Sequence, residues 1–114
     1  MVKGQYVPDA GDIVWLNFSP QAGHEQAGHR PALVLSSAVY NKASKRMIAC
    51  PLTTKIKGYP FEVPMSGEIK SVVLADQVKN LDWHARGAVF KGRAKASELA
   101  QVRNIVALLV GGQK

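Results

Sequence analysis

The sequence predicts a small, mainly β protein: an antiparallel, partly open barrel with one C-terminal helix packed on it. Three observations lead to this fold class. Short segments rich in β-branched and aromatic residues recur along the chain, glycine and proline separate them, and helical periodicity is found in one place, close to the C-terminus. A chain of 114 residues with this pattern forms a single domain spanning 1–114.

The strand signal recurs in six segments, each bounded by turn residues. The predicted strands lie in 11–18, at the start of 32–41, in 46–54, after the Gly-Tyr-Pro break in 55–65, at the start of 71–83, and in 87–94. Between the first two, 19–31 contains two glycines and two prolines and has no periodicity. We expect a loop there, and loops of this length tend to be functional.

The segment 97–110 is the one convincing helix. Ser97 suits the N-cap, Glu98 favours the positive end of the helix dipole, and Gly111 and Gly112 follow the last turn. Apolar residues recur at the i, i+3, i+4 spacing that would face the barrel. These residues are Leu99, Val102, Ile105, Val106 and Leu109.

Composition narrows the classes of partner and compartment. Fifteen Lys and Arg against eight Asp and Glu give a formal net charge of +7, which favours nucleic acid or an acidic protein as partner. The single Cys50 permits no intrachain disulfide and is predicted to be a packed core residue. No signal-peptide core and no membrane span is recognisable, so we expect a cytoplasmic protein without a membrane partner.

Metal, cofactor and nucleophile signals are absent from the pattern. His24 and His29 are five residues apart, and Glu25 and Asp76 are available, but no known ligand spacing results. The chain has no Gly-x-Ser-x-Gly elbow and no glycine-rich phosphate loop before its helix. We therefore expect no metal site and no cofactor.

The stretch "GHEQAGHRPALVLS" (23–36) places Arg30 before a proline at the mouth of a buried strand. Pro31 holds Arg30 extended, and a guanidinium placed there could bind phosphate through two hydrogen bonds; alternatively it forms a salt bridge at a strand end. Thr53 lies at the end of another strand. Either it is there for its β-propensity, with its hydroxyl bonded to the backbone, or its hydroxyl faces the same pocket as Arg30, with Lys55 and Lys57 at the rim. Such a basic pocket suits RNA cleavage by the adjacent 2′-hydroxyl.

The two tryptophans are expected to differ. Trp15 lies in a strand pattern and is predicted to be core. Trp83 follows a polar turn, where a partly exposed ring could stack on a base. Packing or a subunit contact is the alternative for Trp83.

These motifs identify a family resemblance. The stretches "YVPDAGDIVWLNFSPQAGHEQAGHRPALVLS" (6–36), "CPLTTKIKGYPFEV" (50–63) and "LADQVKNLDWHARG" (74–87) resemble the MazF/PemK-type toxins of bacterial toxin–antitoxin systems, and are most similar to the MazF branch. The resemblance implies an SH3-like barrel of the CcdB/MazF type, a homodimer, and a metal-independent mRNA interferase. It implies cleavage of single-stranded RNA to 2′,3′-cyclic phosphate and 5′-hydroxyl ends, and inhibition by a MazE-like antitoxin with an acidic tail.

The resemblance also assigns residues. Arg30 and Thr53 correspond to the family's catalytic pair, and Glu25 is implicated in activity. Arginine is a poor proton acceptor, so Glu25 or His29 is the better candidate for the general base, and the choice stays open. The residues expected to bind RNA are Gly23, His24, Gln26, His29, Lys55, Lys57, Pro60, Asp76, Gln77, Lys79 and Trp83.

The departures from the family pattern are small. Ser71 stands where a glycine is often found, and His84 where a basic residue is common; neither is expected to touch the chemistry. The alternative function is that of a CcdB-like, non-enzymatic toxin acting on DNA gyrase. Such a role has no need for the pair of Arg30 and Thr53, so the pair favours the ribonuclease.

Overall fold

The computed structural model describes residues 5–18 and 28–111. The strands are β1 (Asp12–Asn17), β2 (His29–Val34), β3 (Arg46–Thr53), β4 (Glu62–Met65), β5 (Ser71–Leu74), β6 (Lys79–Asp82) and β7 (Val89–Arg93). The helices are α1 (Ala38–Ser44) and α2 (Ala96–Leu109), with a 3-10 turn at Ala75–Gln77. Every strand pair is antiparallel, in the order β4-β5-β3-β2-β1-β7, and β6 pairs with β3 outside this path. The mainly β fold class, with one C-terminal helix on a curled sheet, is confirmed.

The curled sheet buries apolar side chains on both faces. On one face, Val14 and Leu16 of β1 pack with Trp83; on the other, Cys50 of β3 packs beneath Val102 of α2. Burial, and then the charge of the Asp76 carboxylate, raises the pKa of the Cys50 thiol to about 12. Cys50 is therefore a core residue, as the sequence predicts, and is not ionised at neutral pH.

The ladder between β2 and β3 ends early, and this creates the site. Their last pair is Ala32 with Pro51, after which β3 continues along β5 as far as Thr53. The same register, carried two residues further, puts Arg30 opposite Thr53. Pro31 and Pro51 have no N–H to donate, which is consistent with a ladder that stops at this point. The two strands open into a fork whose tips carry the predicted catalytic pair.

Two local differences from the sequence prediction concern 28–45. His29, Arg30 and Pro31 already belong to β2, whereas the sequence predicts a loop through 31. Helix α1 is not predicted, since the sequence indicates a strand only at the start of 32–41 and one helix near the C-terminus; the Ser37 side chain caps α1 by accepting from the Tyr40 N–H. This short polar-capped turn carries too few residues for helical periodicity to reveal it.

A buried asparagine anchors α1. Asn41 is completely buried, and its Nδ2 donates to the carbonyl of Pro8 at 2.7 Å and to that of Ser36 at 3.0 Å. Its Oδ1 accepts from the Ser36 hydroxyl at 2.7 Å. All hydrogen-bonding groups of this side chain are used within the fold, so its role is structural.

Helix α2 begins one residue earlier than predicted. Lys95 occupies the N-cap position, and the Glu98 carboxylate accepts from its backbone N–H at 2.8 Å, so Glu98 rather than Ser97 caps the helix. Four of the five predicted apolar positions pack on the sheet, but Leu109 is 56% exposed. Within 5–18 and 28–111, no helix has the length and apolar character needed to cross a membrane.

Candidate active site

A cavity of about 470 Å³ lies at the fork between β2 and β3. Arg30 and Thr53 both line it, together with Trp15, Lys91 and the segment 65–69. The structure therefore brings the two predicted catalytic residues onto one cavity. It does so through strand register, since Arg30 and Thr53 are 23 positions apart in the sequence.

Thr53 is held rigidly at the floor of this cavity. The residue is 6% exposed, and its Oγ1 accepts a hydrogen bond from the Lys55 N–H at 3.1 Å. A hydroxyl carries one proton besides its acceptor sites. With Lys55 fixing the oxygen, the proton can be donated to a group bound in the cavity.

Arg30 supplies a permanent positive charge at the same place. It is half-buried and lies within β2, in the extended conformation that the following Pro31 favours. A guanidinium remains protonated in proteins and matches the geometry of phosphate oxygens. A cation and a hydroxyl donor on one cavity form an anion site suited to a phosphodiester.

Trp15 differs from its prediction as a core residue. The ring is half-buried, lines the cavity, and stacks on the His29 imidazole with centroids 5.7 Å apart and an interplanar angle of 6°. The Lys91 ammonium lies 5.5 Å from the centroid of the same ring. Alternation in β1 cannot tell a core face from a cavity face, which is why the sequence misplaces Trp15 and gives no signal for Lys91.

A second cavity, of about 350 Å³, adjoins the first and is also lined by Thr53. Four of the residues expected to bind RNA come together in it: Lys55, Lys57, Asp76 and Gln77. Its wall further contains Tyr59, Phe61 and Glu62. Neither Phe61 nor Glu62 is among the residues predicted for the site; their position directly after the Gly-Tyr-Pro break is the signal that could have found them.

The carboxylates of the second cavity have different environments. Glu62 accepts from the backbone N–H of Lys57 at 3.2 and 3.3 Å, one distance to each oxygen, and from that of Gly58 at 2.9 Å, so it shapes this turn. Asp76 is an exposed residue, but its carboxylate is partly desolvated. This desolvation, together with the charge of Glu62, raises the pKa of Asp76, and a hydrogen bond to its own backbone opposes the shift. A carboxylate with partial desolvation in an open cavity is available to a ligand.

The structure contradicts the assignment of Trp83 to RNA binding and supports the alternative that its ring is packed. Trp83 is 3% exposed, packs in the core, and donates its indole N–H to the carbonyl of Asn41 at 2.9 Å. The polar residues before and after it are turn residues over a buried ring. Trp83 therefore has no free face for a base.

The remaining predicted residues lie away from the two cavities or outside the described part of the chain. Pro60 and Lys79 line neither cavity, whereas Ser71, which was expected to lie away from the chemistry, lines the first. His29 is exposed at the start of β2. Gly23, His24, Glu25 and Gln26 lie outside the described residues.

Comparison with known proteins agrees with this geometry. The family model for PemK-like, MazF-like toxins of type II toxin–antitoxin systems matches residues 9–110. The chain is 49% identical to the endoribonuclease toxin MazF of Escherichia coli K12 over 108 residues, covering 94% of this chain and 97% of that protein.

Solved structures extend the likeness to the whole fold. A crystal structure of MazF from Deinococcus radiodurans superposes with a TM-score of 0.90 at 54% identity, covering 94% of this chain and 99% of the other. A MazE–MazF structure from the same organism gives 0.85 at 53% identity, covering 96% and 100%. The chain belongs to the PemK-like, MazF-like family of toxins of type II toxin–antitoxin systems.

Proposed function

We propose that this protein is the toxin of a type II toxin–antitoxin system and acts as a metal-independent, sequence-specific endoribonuclease on single-stranded mRNA, inhibiting translation and growth. One observation carries the proposal: Arg30 and Thr53 meet on one cavity at the fork of the sheet. The relatives named endoribonuclease MazF, at about half sequence identity over most of the chain, support it.

The reaction is a transesterification that RNA itself can supply. The 2′-oxygen attacks the adjacent phosphorus, the phosphorus–O5′ bond breaks, and a 2′,3′-cyclic phosphate and a 5′-hydroxyl result. A base accepts the 2′-hydroxyl proton, and an acid delivers a proton to O5′. Arg30 binds the phosphate and stabilises the charge of the phosphorane, and Thr53 donates to a non-bridging oxygen.

The general base is Glu25 or His29. Arg30 keeps its proton and is unsuited to the role. His29 is an exposed imidazole next to Arg30 in β2, stacked on Trp15, which fixes the plane of its ring. A pH–rate profile separates the two, since an imidazole base gives an ionisation between about pH 5 and 8 and a carboxylate base gives one at lower pH.

The partners follow from the same cationic site. The relatives include MazF bound to MazE, and we propose that a MazE-like antitoxin inhibits this chain by laying an acidic segment over the RNA-binding cavities. The net charge of +7 suits both an acidic tail and RNA. We further propose a homodimer in the cytoplasm. A CcdB-like action on gyrase would leave the pair of Arg30 and Thr53 without a role, and is not favoured.

The test is cleavage of a long single-stranded RNA in EDTA, with the cut ends mapped by primer extension. Wild-type protein should cut at discrete sites, and Arg30→Ala should not. Arg46→Ala is the matched control, because it removes the same charge from a different place. Arg46 is exposed at the start of β3, far from Thr53 along the strand, and donates a hydrogen bond to Asn80. It should cut at the wild-type sites.

A second substrate checks the nucleophile. DNA should resist, but a DNA strand with one ribonucleotide at the cleavage position should be cut, because that position alone supplies the 2′-hydroxyl. Resistance of the chimaera, or cutting by Arg30→Ala equal to that of Arg46→Ala, would refute the mechanism. If folded wild-type protein cuts no RNA, the CcdB-like action on DNA gyrase becomes the favoured function.

A further inference from the structure

We propose that the second cavity, lined by Asp76 and Glu62, holds the base of a nucleotide flanking the cleaved bond and that Asp76 selects bases carrying an exocyclic amino group over uracil. This inference deepens the proposed ribonuclease function and rests on it. Asp76 is the specificity-determining residue, and the bases it accepts are adenine, cytosine and guanine.

The position of the cavity links it to the scissile phosphate. Thr53 lines both cavities, so a phosphate bound at its hydroxyl lies at the junction between them. The base attached to one side of that phosphate is then placed beside the second cavity. At about 350 Å³ the cavity is within the size range of small-ligand sites and has room for one base.

The walls combine an aromatic face with cations. Tyr59 and Phe61 have ring centroids 5.2 Å apart at an angle of 34°, and Tyr59 is 49% exposed. An exposed aromatic ring next to a cavity provides a stacking surface for an unpaired base. Lys55 and Lys57 are exposed on the same wall, where they can bind the flanking phosphates.

A carboxylate among these cations has a specific consequence. Asp76 repels phosphate, so it weakens non-specific RNA binding, but its oxygens accept hydrogen bonds from amino groups on a base edge. Uracil has no amino group: its one donor on that edge, the N3–H, lies between two carbonyl oxygens, and these face the carboxylate unfavourably. Asp76 therefore favours amino-bearing bases and disfavours uracil.

Glu62 does not compete for this role. Its two oxygens are engaged by the backbone N–H groups of Lys57 and Gly58. Asp76 also bonds its own backbone, but a carboxylate has about four acceptor sites and keeps capacity for a ligand. Both carboxylates lie in one cavity, but the Glu62 oxygens are bonded to the backbone of the protein, whereas the Asp76 carboxylate keeps acceptor sites for a ligand.

The test compares Asp76→Asn with Glu62→Gln, which remove the same charge from the same cavity. Each variant and the wild type cleave an RNA pool with randomised positions, and the cut sites are sequenced. We expect the wild type to disfavour uracil at one position beside the cut by about tenfold to a hundredfold. Asp76→Asn should lose that discrimination, because its amide offers both a donor and an acceptor while its oxygen can still accept the backbone N–H.

Glu62→Gln should change the overall rate and keep the base preference. An unchanged motif in Asp76→Asn, or the same loss in both variants, overturns the inference while leaving the ribonuclease intact. A wild-type motif with uracil on both sides of the cut also overturns it. Absence of any cleavage by the wild type would instead overturn the proposed function, and the inference with it.

Discussion

Replacement of Thr53 by valine separates its proposed catalytic role from its structural one. Valine has nearly the same shape and a high strand propensity, so packing at this buried position is kept. The fold loses one hydrogen bond, from the Lys55 N–H at 3.1 Å. That bond contributes about 1 kcal/mol, which corresponds to a fall of about 4 °C in Tm. A donor to the phosphorane is worth much more, about 10²- to 10³-fold in kcat.

The assay is single-turnover cleavage of a short RNA that carries one mapped site, alongside thermal unfolding. Thr53→Ser is the matched control: it keeps the hydroxyl, loses a methyl group, and should retain most of the rate. We expect Thr53→Val to fold, to melt slightly lower, and to cleave about 10²- to 10³-fold more slowly. A folded Thr53→Val within threefold of Thr53→Ser would refute a donor role for this hydroxyl.

Two further predictions concern residues outside the chemistry. Trp83→Phe removes the hydrogen bond from the indole N–H to the Asn41 carbonyl and part of a buried ring. Tm should therefore fall by about 4 to 12 °C, and RNA affinity should not change. Weaker RNA binding at an unchanged Tm would contradict the buried position of this ring. Burial alone would raise the pKa of the Glu98 carboxyl, but hydrogen-bond donors on Ser66 and Lys95 outweigh burial and lower that pKa. The ionised Glu98 therefore stabilises the fold fully above its ordinary pKa of 4.5, and this stabilisation is lost as the pH falls through the pKa of the folded state. In unfolding measurements from pH 7 to pH 3, the stability advantage of wild type over Glu98→Gln should therefore shrink below about pH 4.5; a constant difference would show that the Glu98 charge is not responsible.

The sequence is informative about strands and much less so about which face of a strand meets solvent. The strand segments, α2 and the core position of Cys50 follow from local patterns. Trp15 is misplaced, because a β-strand alternates in the same way whether one face packs on a core or lines a cavity. For Trp83, the three-dimensional position of Asn41 decides, since it offers the indole a buried partner.

The proposed catalytic pair, Arg30 and Thr53, shows the same limit. Each residue could be nominated from its neighbours, Arg30 from the following proline and Thr53 from its strand end, but their meeting depends on the register between β2 and β3. That register is visible only in the paired backbone, where Ala32 lies opposite Pro51. Family resemblance could supply the pairing in advance because it carries information about the whole fold.

The fork explains how this fold can position the proposed site. Neighbouring strands lie about 5 Å apart, so a residue at each tip of a parting strand pair is close to its counterpart while the gap between the tips admits a ligand. Arg30 and Thr53 are set by backbone that pairs with β1 and with β5, and the hydroxyl of Thr53 is further fixed by Lys55. Donors held in this way need little reorganisation when charge develops on the phosphorane. In the proposed reaction the nucleophile comes from the RNA, so the protein has only to orient the phosphate and move protons, and a fork between two paired strands is suited to the first of these tasks.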